Sequence, residues 1–182
     1  MATPRPPLLI RPSSPDDLAA MATIYGAYVR RGTGTFEIDA PTPQALGQRR
    51  TDVLAAGWPW LVAQQGGAVK AYAYAAPFRP RPAYRFCLED SIYVAEDCGG
   101  RGVGRALLAE LLSVCEARGA RQMLAVIGDT GNQASIALHR ALGFEHVGVL
   151  QTEGWKFNRW LDVVMMQRPL GLGSSEAAPA GG

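Results

Sequence analysis

The feature that most constrains the fold is a strand, a glycine-rich loop and a helix that follow one another directly between residues 91 and 112. Ile92 and Val94 alternate with their neighbours at the period of two that a β-strand gives. From Val103 onward, apolar residues recur with the spacing of an amphipathic helix, which is predicted to end near Gly119. Between strand and helix, glycines and arginines alternate: Gly100, Arg101, Gly102, Gly104 and Arg105. This unit places a helix N-terminus close to the end of a strand.

This arrangement predicts an anion-binding site. The first backbone N–H groups of a helix have no partner within it, and the helix dipole places partial positive charge there. Glycine lets the loop backbone approach a ligand closely, since no Cβ intervenes. Arg101 and Arg105 add charge, so the loop suits a phosphate or diphosphate. The alternative is that the glycines only form a tight turn.

The glycine spacing excludes two common phosphate-binding motifs. A P-loop requires Gly-Lys-Ser/Thr after its spacer, and no such run occurs. The dinucleotide fingerprint requires G-x-G-x-x-G and an acid about 20 residues later, whereas the next predicted strand carries none. The loop instead resembles the pyrophosphate loop of the GCN5-related N-acetyltransferases (GNAT), Gln/Arg-x-x-Gly-x-Gly/Ala. Gly102 and Gly104 match its small residues, but Gly99 replaces the usual Gln or Arg, and we expect Arg101 to substitute electrostatically.

Composition narrows the class of protein. The net charge of +2 is too small to indicate a nucleic-acid partner. No apolar run approaches the roughly 18 residues of a membrane span, and the proline-rich start does not resemble a signal peptide. Cys87, Cys98 and Cys115 lack metal-ligand spacing, so we expect reduced thiols and no metal site. These observations predict a cytoplasmic protein that binds neither nucleic acid nor membrane.

Local patterns predict a mixed α/β order. Ser14 and Thr42 carry N-cap signals for two helices, and Asn132 is expected to cap a short helix that ends at Gly143. Strands are expected over residues 8–11, 60–65, 69–76, 91–94, 121–128, 144–149 and 162–167. The resulting order, β-α-α-β-β-β-α-β-α-β-β, predicts one domain over residues 8–169. A disordered lead (1–7) and a flexible tail (170–182) are expected to flank it.

This order is also that of the GNAT fold, and longer strings resemble one subfamily. WPWLVAQQGG, AYAYAAPF, YRFCLEDSIYV and SIALHRALGFEHVGVL look like phosphinothricin and methionine-sulfoximine N-acetyltransferases, as does KFNRWLDVVMMQ. The resemblance implies a single-domain α/β GNAT fold, with a mixed, mostly antiparallel central sheet, a splayed strand pair and helices on both faces. It further implies direct transfer of an acetyl group from acetyl-CoA to a small amino acid-like amine in a ternary complex, commonly by a homodimer.

The resemblance also assigns the acetyl-CoA site. The strand 91–94 is expected to diverge from 125–127, and the pantetheine arm would lie in the gap against the backbone of Ile92 and Val94. The diphosphate would lie on the loop from Gly100 to Arg105. The predicted cofactor-binding set is Ile92, Tyr93, Val94, Gly100, Arg101, Gly102, Val103, Gly104, Arg105, Asn132 and Ser135.

Acetyl transfer requires a proton acceptor, because an alkylammonium has no lone pair with which to attack a thioester. A carboxylate is the expected acceptor, and a backbone N–H would stabilise the tetrahedral oxyanion. Strand alternation places Asp90 on the side of Ile92 and Glu89 on the side of Ser91. The resemblance matches Glu89 to the Glu of a Glu-x-Ser/Thr-Val-Tyr-Val segment, and we expect it to be the general base. The alternative is a carboxylate that only solvates the end of the strand.

An amino acid-like acceptor needs cationic partners, and arginine suits bidentate carboxylate binding. The resemblance matches Arg79 to a cationic family position; Arg81 and Arg85 are weaker candidates, and solvation is the alternative role for Arg81. Phe36 and Glu37 match a loop near the acceptor pocket, although a core role for Phe36 is equally open. The predicted acceptor-binding set is Phe36, Glu37, Arg79, Arg81, Glu89, Asp90 and Ser91.

Other roles stay open at this level. His139 lies on the helix after Asn132, where a structural role is the more frequent one, and Tyr93 is one candidate proton donor to the CoA thiolate. Two alternative functions also remain. One is acetylation of a protein N-terminus, a polyamine or an aminoglycoside. The other is a non-catalytic CoA-binding module, which Gly99 permits and Glu89 argues against.

Overall fold

The computed structural model describes residues 6–177 and shows one seven-stranded sheet with helices on both faces. The strands are β1 (Leu8–Pro12), β2 (Trp60–Gln65), β3 (Ala68–Pro77), β4 (Cys87–Val94), β5 (Gln122–Gly128), β6 (Glu145–Lys156) and β7 (Arg159–Pro169). The α-helices are α1 (Leu18–Arg31), α2 (Pro43–Ala55), α3 (Val103–Ala117) and α4 (Gln133–Ala141). Single turns of 3₁₀ helix lie at Pro15–Asp17, Pro82–Tyr84 and Glu96–Cys98.

The sheet contains one parallel pair, and that pair is incomplete. The strand order is β1-β2-β3-β4-β5-β7-β6, and every neighbouring pair except β4 and β5 is antiparallel. The β4–β5 register runs from Cys87↔Gln122 to Asp90↔Ala125 and stops there, although both strands continue. Past this point β4 pairs only with β3, and β5 only with β7. The predicted splayed pair is therefore confirmed, and it opens a gap in the middle of the sheet.

The central strands β2 to β5 are covered on both faces, whereas β6 is largely exposed. Alternate residues of β2 point to opposite sides, so Leu61 packs with α3 while Trp60 and Val62 pack with α1 and α2. On α3, residues at helical spacing such as Leu107 and Leu111 are fully buried. Burial of each leucine contributes about 1.5–3 kcal/mol. Because both faces are covered, the strand sequences read as continuous apolar runs.

The hairpin of β6 and β7 is longer than predicted. The two strands extend to Lys156 and Arg159 and are joined at Phe157 and Asn158, which both adopt positive φ angles of +51° and +56°. Two successive residues of this kind are typical of a tight hairpin turn. The sequence pattern predicts this strand only over residues 144–149, because the polar run that follows lacks an alternating apolar pattern.

The expected domain boundaries need one correction. Leu170, placed in the flexible tail, is fully buried in the core, and its N–H donates to the carbonyl of Arg121 at 3.0 Å. At the other end, the carbonyl of Pro6 accepts a hydrogen bond from the side chain of Gln65. The rest of the lead and tail, residues 1–5 and 178–182, lies outside the described residues. Within residues 6–177, no helix has the length and apolar character needed to cross a bilayer.

Candidate active site

A cleft of about 740 Å³ opens where β4 and β5 part. Its lining includes residues 90–96, which span the end of β4 and the turn that follows it, and residues 125–128 of β5. The glycine loop and one face of α4 also line it. The C-terminal end of α1 and the residues that follow it form one lip of the cleft. The cleft therefore joins the predicted anion-binding loop to the gap between the strands.

Glycine is needed at different positions of the glycine loop for two different physical reasons. Gly100 and Gly102 have φ angles of +68° and +81°, and a Cβ at either would meet nothing within 4 Å, so backbone conformation is the constraint. Gly104 instead allows close packing, because a Cβ there would lie 3.2 Å from a methyl carbon of Val94. Gly102 precedes α3 without a side-chain cap, which leaves helix N–H groups without such a partner at the rim of the cleft. These features fit a bound diphosphate.

Two members of the predicted loop set do not line the cleft. Arg101 is exposed and points elsewhere, and the side chain of Val103 is buried in the core. Arg105 does line the cleft. Arg31 also lines the cleft, where it pairs with Glu96. The positive charge of the lining therefore comes from Arg31, Arg105 and the N-terminus of α3, and Arg101 is not part of it.

The backbone of β4 at the cleft already has a partner. The N–H of Val94 donates to the hydroxyl of Tyr28 at 3.1 Å, and that hydroxyl donates to the carbonyl of Val94 at 3.0 Å. Tyr28 itself lines the cleft. A pantetheine arm that pairs with Val94 has to displace this hydroxyl. The ring of Tyr93 packs edge-on against Tyr25 and Tyr28 in the aromatic cluster on the α1 face, away from Ile92 and Val94.

Asn132 and Ser135 lie at the start of α4, beside the cleft. Asn132 Oδ1 accepts a hydrogen bond from the N–H of Ser135, so Asn132 caps the helix as predicted. The hydroxyl of Ser135 lies 3.4 Å from Nδ1 of His139. The helix cap and His139 are thus connected along one side of the cleft.

Asp90 and His139 form a buried pair at the point where the strands part. His139 Nε2 lies 3.1 Å from Asp90 Oδ2, and Nδ1 donates to the carbonyl of Ser135 at 2.7 Å. Burial lowers the pKa of His139, but its hydrogen bond to Asp90 and the charge of that carboxylate outweigh this effect, so the pKa lies above its usual value. Asp90 Oδ1 is buried and has no hydrogen-bond partner among the described residues. Asp90, predicted in the acceptor set, therefore faces the cleft and His139.

Glu89 lies on the opposite face of β4 from Asp90 and is half-buried. Burial raises the pKa of its carboxyl, the charge of Asp90 raises it further, and the charge of Arg79 lowers it. A carboxylate whose pKa is raised in this way is a better proton acceptor than an exposed one. Ser91 shares this face and lines the cleft.

The predicted acceptor residues form two separate groups. Arg79 and Arg81 lie together with Pro80 and Tyr84 around a polar pocket of about 400 Å³, and the Arg79 guanidinium stacks over Phe78. The charge of Arg79 lowers the pKa of Glu89, so this pocket interacts electrostatically with the predicted base.

The second group lies on the segment after α1. The ring of Phe36 packs against Gly128 and Gly154, and the carboxylate of Glu37 pairs with Arg49 of α2. Phe36 therefore has the core-like packing that the sequence analysis left open, at a position next to the cleft. Among the described residues, no group of three His, Cys, Asp or Glu side chains is arranged to hold a metal ion.

Sequence reasoning missed two residues at this site. Local patterns give Tyr28 no role beyond the helix α1, and Lys156 appears only as the first residue of the family-like string KFNRWLDVVMMQ. Lys156 Nζ donates to the carbonyls of Gly32 and Thr35, and its side chain is buried. Lys156 lies between Trp155 and Phe157, but the polar residues around these three, and the rarity of buried lysines, leave its burial without a clear local signal.

Comparison with known proteins assigns the class. Residues 23–144 match the model of the Acetyltransferase (GNAT) family. The chain belongs to this family, which confirms the predicted fold, the N-acetyltransferase class and acetyl-CoA as its cosubstrate.

Similar proteins narrow the comparison to one group within the family. Phosphinothricin N-acetyltransferase of Alcaligenes faecalis is 51% identical over 160 residues, which cover 88% of this chain and 81% of the relative. An L-methionine sulfoximine/L-methionine sulfone acetyltransferase of Pseudomonas aeruginosa is 39% identical over 172 residues, covering 93% and 98%. A phosphinothricin acetyltransferase from Sinorhizobium meliloti, solved in complex with AcCoA, superimposes with a TM-score of 0.92 at 44% identity and covers 96% of this chain and 94% of that one.

Proposed function

We propose that this chain acetylates the amino group of a small amino acid-like acceptor of the phosphinothricin, methionine sulfoximine or methionine sulfone type. Transfer is direct, from acetyl-CoA in a ternary complex, with Glu89 as general base. The observation that carries the proposal is the half-buried carboxylate of Glu89 on the strand that borders the cleft, whose pKa is raised by burial and lowered by the charge of Arg79. The names of the relatives at 51% and 39% identity support the acceptor class.

The residues proposed to bind the donor and those proposed to bind the acceptor lie on opposite faces of β4. The N-terminus of α3 and Arg105 bind the diphosphate, and the gap between the strands receives the rest of the donor. Acetyl-CoA supplies an acetyl group activated as a thioester. On the other face, Arg79 and Arg81 bind the acceptor's acidic groups, and Glu89 takes the proton from its amine. His139, whose pKa is lowered by burial but raised overall by its pairing with Asp90, is the proton donor we assign to the leaving thiolate.

The direct test is a thiol-release assay with a panel of amines. We expect release of CoA with amino acid-like acceptors that carry a carboxylate, and none without an amine. Glu89→Gln should lower turnover by about 10²–10⁴-fold while calorimetric binding of acetyl-CoA is retained. Turnover only with peptides, polyamines or aminoglycosides would refute the acceptor class, and full activity of Glu89→Gln would refute the assigned base.

A homodimer is part of the proposal. Large apolar side chains are exposed along the β6–β7 hairpin: Val147, Val149, Leu150, Trp155, Phe157 and Trp160. β6 is also an edge strand of twelve residues. Such an exposed apolar edge is typical of a surface covered by another chain. A second copy of this chain is the occupant we propose. Action in the cytoplasm and resistance to phosphinothricin-like compounds follow as consequences of the same proposal.

A further inference from the structure

Residues 32–37, which follow α1, form the segment called here the acceptor loop. Gly32 and Gly34 of this loop line the cleft, and Phe36 and Glu37 belong to the proposed acceptor side. The loop has no helix or strand of its own, so its conformation depends on contacts with neighbouring elements.

Lys156, at the end of β6, connects two positions of this loop through hydrogen bonds. Its Nζ donates to the carbonyl of Gly32 at 3.0 Å and to that of Thr35 at 2.8 Å. Its side chain is almost fully buried, and burial lowers its pKa. Within residues 6–177 no carboxylate pairs with it at ion-pair distance. Its buried ammonium is therefore satisfied by loop carbonyls, and these carbonyls would lose buried donors if it were removed.

Gly154, two residues earlier on β6, provides a second contact with the loop. A Cβ at Gly154 would lie 2.5 Å from two ring carbons of Phe36. On the other side, a Cβ at Gly128 of β5 would collide with the carbonyl oxygen of Thr33 and lie 3.0 Å from the same ring. The ring is therefore held between two strands at distances that only glycine allows.

We propose that β6 positions the acceptor loop through Lys156 and Gly154, and that Lys156 is a positioning residue for acceptor binding. Lys156 fixes the loop carbonyls, and Gly154 leaves the space in which Phe36 is seated. The link to acceptor binding rests on the proposed function, whereas the anchoring of the loop does not. Because neither residue lines the cleft, their effect on catalysis passes through the loop.

The test compares two pairs of variants. Lys156→Met removes the buried donors, and Lys70→Met removes the chain's other lysine, which is paired with Asp97 at the surface. Gly154→Ala adds a methyl group against Phe36, whereas Gly148→Ala adds one on the same strand where nothing lies within 4 Å. Hydrogen exchange of residues 32–37 and the separate KM values for acceptor and acetyl-CoA are measured for each variant.

We expect faster exchange in residues 32–37 for Lys156→Met and Gly154→Ala, and no change in that segment for the two controls. The acceptor KM should rise about tenfold with each of the two test variants, and by more than the KM for acetyl-CoA, because Gly32 and Gly34 of the same loop also line the cleft assigned to the donor. Unchanged loop exchange in both test variants, or an equal rise of both KM values, would overturn the inference. If Lys156→Met does not fold, the same measurements on Gly154→Ala decide whether the inference holds. If the wild type acetylates no amino acid-like amine, the proposed function fails, and the exchange data alone decide whether the loop is anchored.

Discussion

Glu89 and Asp90 are adjacent in sequence but have different surroundings. Asp90 faces the cleft and pairs with His139, whereas Glu89 lies on the other face near Arg79. Strand alternation alone predicted this separation. The proposal that Glu89 removes the proton is consistent with this separation, because Asp90 already has His139 as its partner.

At the scale of single residues, a substitution of Arg79 tests whether the pocket around it binds the acceptor. We expect Arg79→Met to raise the acceptor KM by about 10–100-fold, because a charge-assisted hydrogen bond contributes about 1.5–3 kcal/mol. The KM for acetyl-CoA should not change. Arg85→Met, in the same loop and stacked on Phe86, is the matched control and should keep both constants. Equal effects of the two substitutions in steady-state kinetics would contradict the assignment.

At the scale of elements, the strand-loop-helix unit around Gly102 carries the proposed anion-binding site. Gly102 begins α3 with a positive φ angle, so the helix N-terminus is presented to the cleft without a side-chain cap. Any L-residue at this position must adopt a left-handed conformation, which costs about 1–2 kcal/mol. The glycine thus contributes to both stability and binding.

Gly102→Ala and Gly57→Ala separate these two contributions. Both glycines have positive φ angles, and neither Cβ would meet an atom within 4 Å, but Gly57 follows α2 far from the cleft lining. Each substitution should lower the free energy of unfolding by about 1–2 kcal/mol, measured by denaturant titration. Only Gly102→Ala should weaken acetyl-CoA binding in calorimetry. Equal affinities for the two variants would rule out a binding role for the loop.

Local elements were predictable from the sequence, and distant contacts were not. The glycine loop, the Asn132 cap and the central strands follow from patterns within a few residues. The bonds from Tyr28 to Val94 and from Lys156 to Gly32 join residues 66 and 124 positions apart. No local pattern specifies such pairs, since they depend on how the sheet brings α1, β4 and β6 together. The length of β6 was missed for a similar reason, because its pairing with β7 extends it through polar residues.

At the scale of the whole molecule, the sheet has two edges of different character. β1 at one edge is short, whereas β6 at the other is long and carries exposed Trp155 and Val149. Because β6 also anchors the acceptor loop, the surface proposed for dimerisation lies next to the catalytic cleft.

Sedimentation tests the dimer. We expect the wild type to sediment as a dimer and Trp160→Glu as a monomer, because a buried charge without a partner opposes association. Leu9→Glu introduces the same charge on β1, at the opposite edge, where Leu9 is similarly exposed. This control should remain dimeric. A monomeric wild type would contradict the proposal, as would dissociation by both substitutions.

The most direct measurement of the central claim is the pH dependence of kcat/KM for the acceptor, in the wild type and in Glu89→Gln. A general base must be deprotonated, so kcat/KM of the wild type should fall as the pH drops through the pKa of Glu89, which burial raises above the ordinary value of 4.5. In Glu89→Gln this acidic limb should be absent and the remaining rate lower by about 10²–10⁴-fold, while the alkaline behaviour set by the acceptor amine and by His139, the assigned proton donor, is kept. The same acidic limb and a similar rate in both proteins would show that Glu89 is not the base.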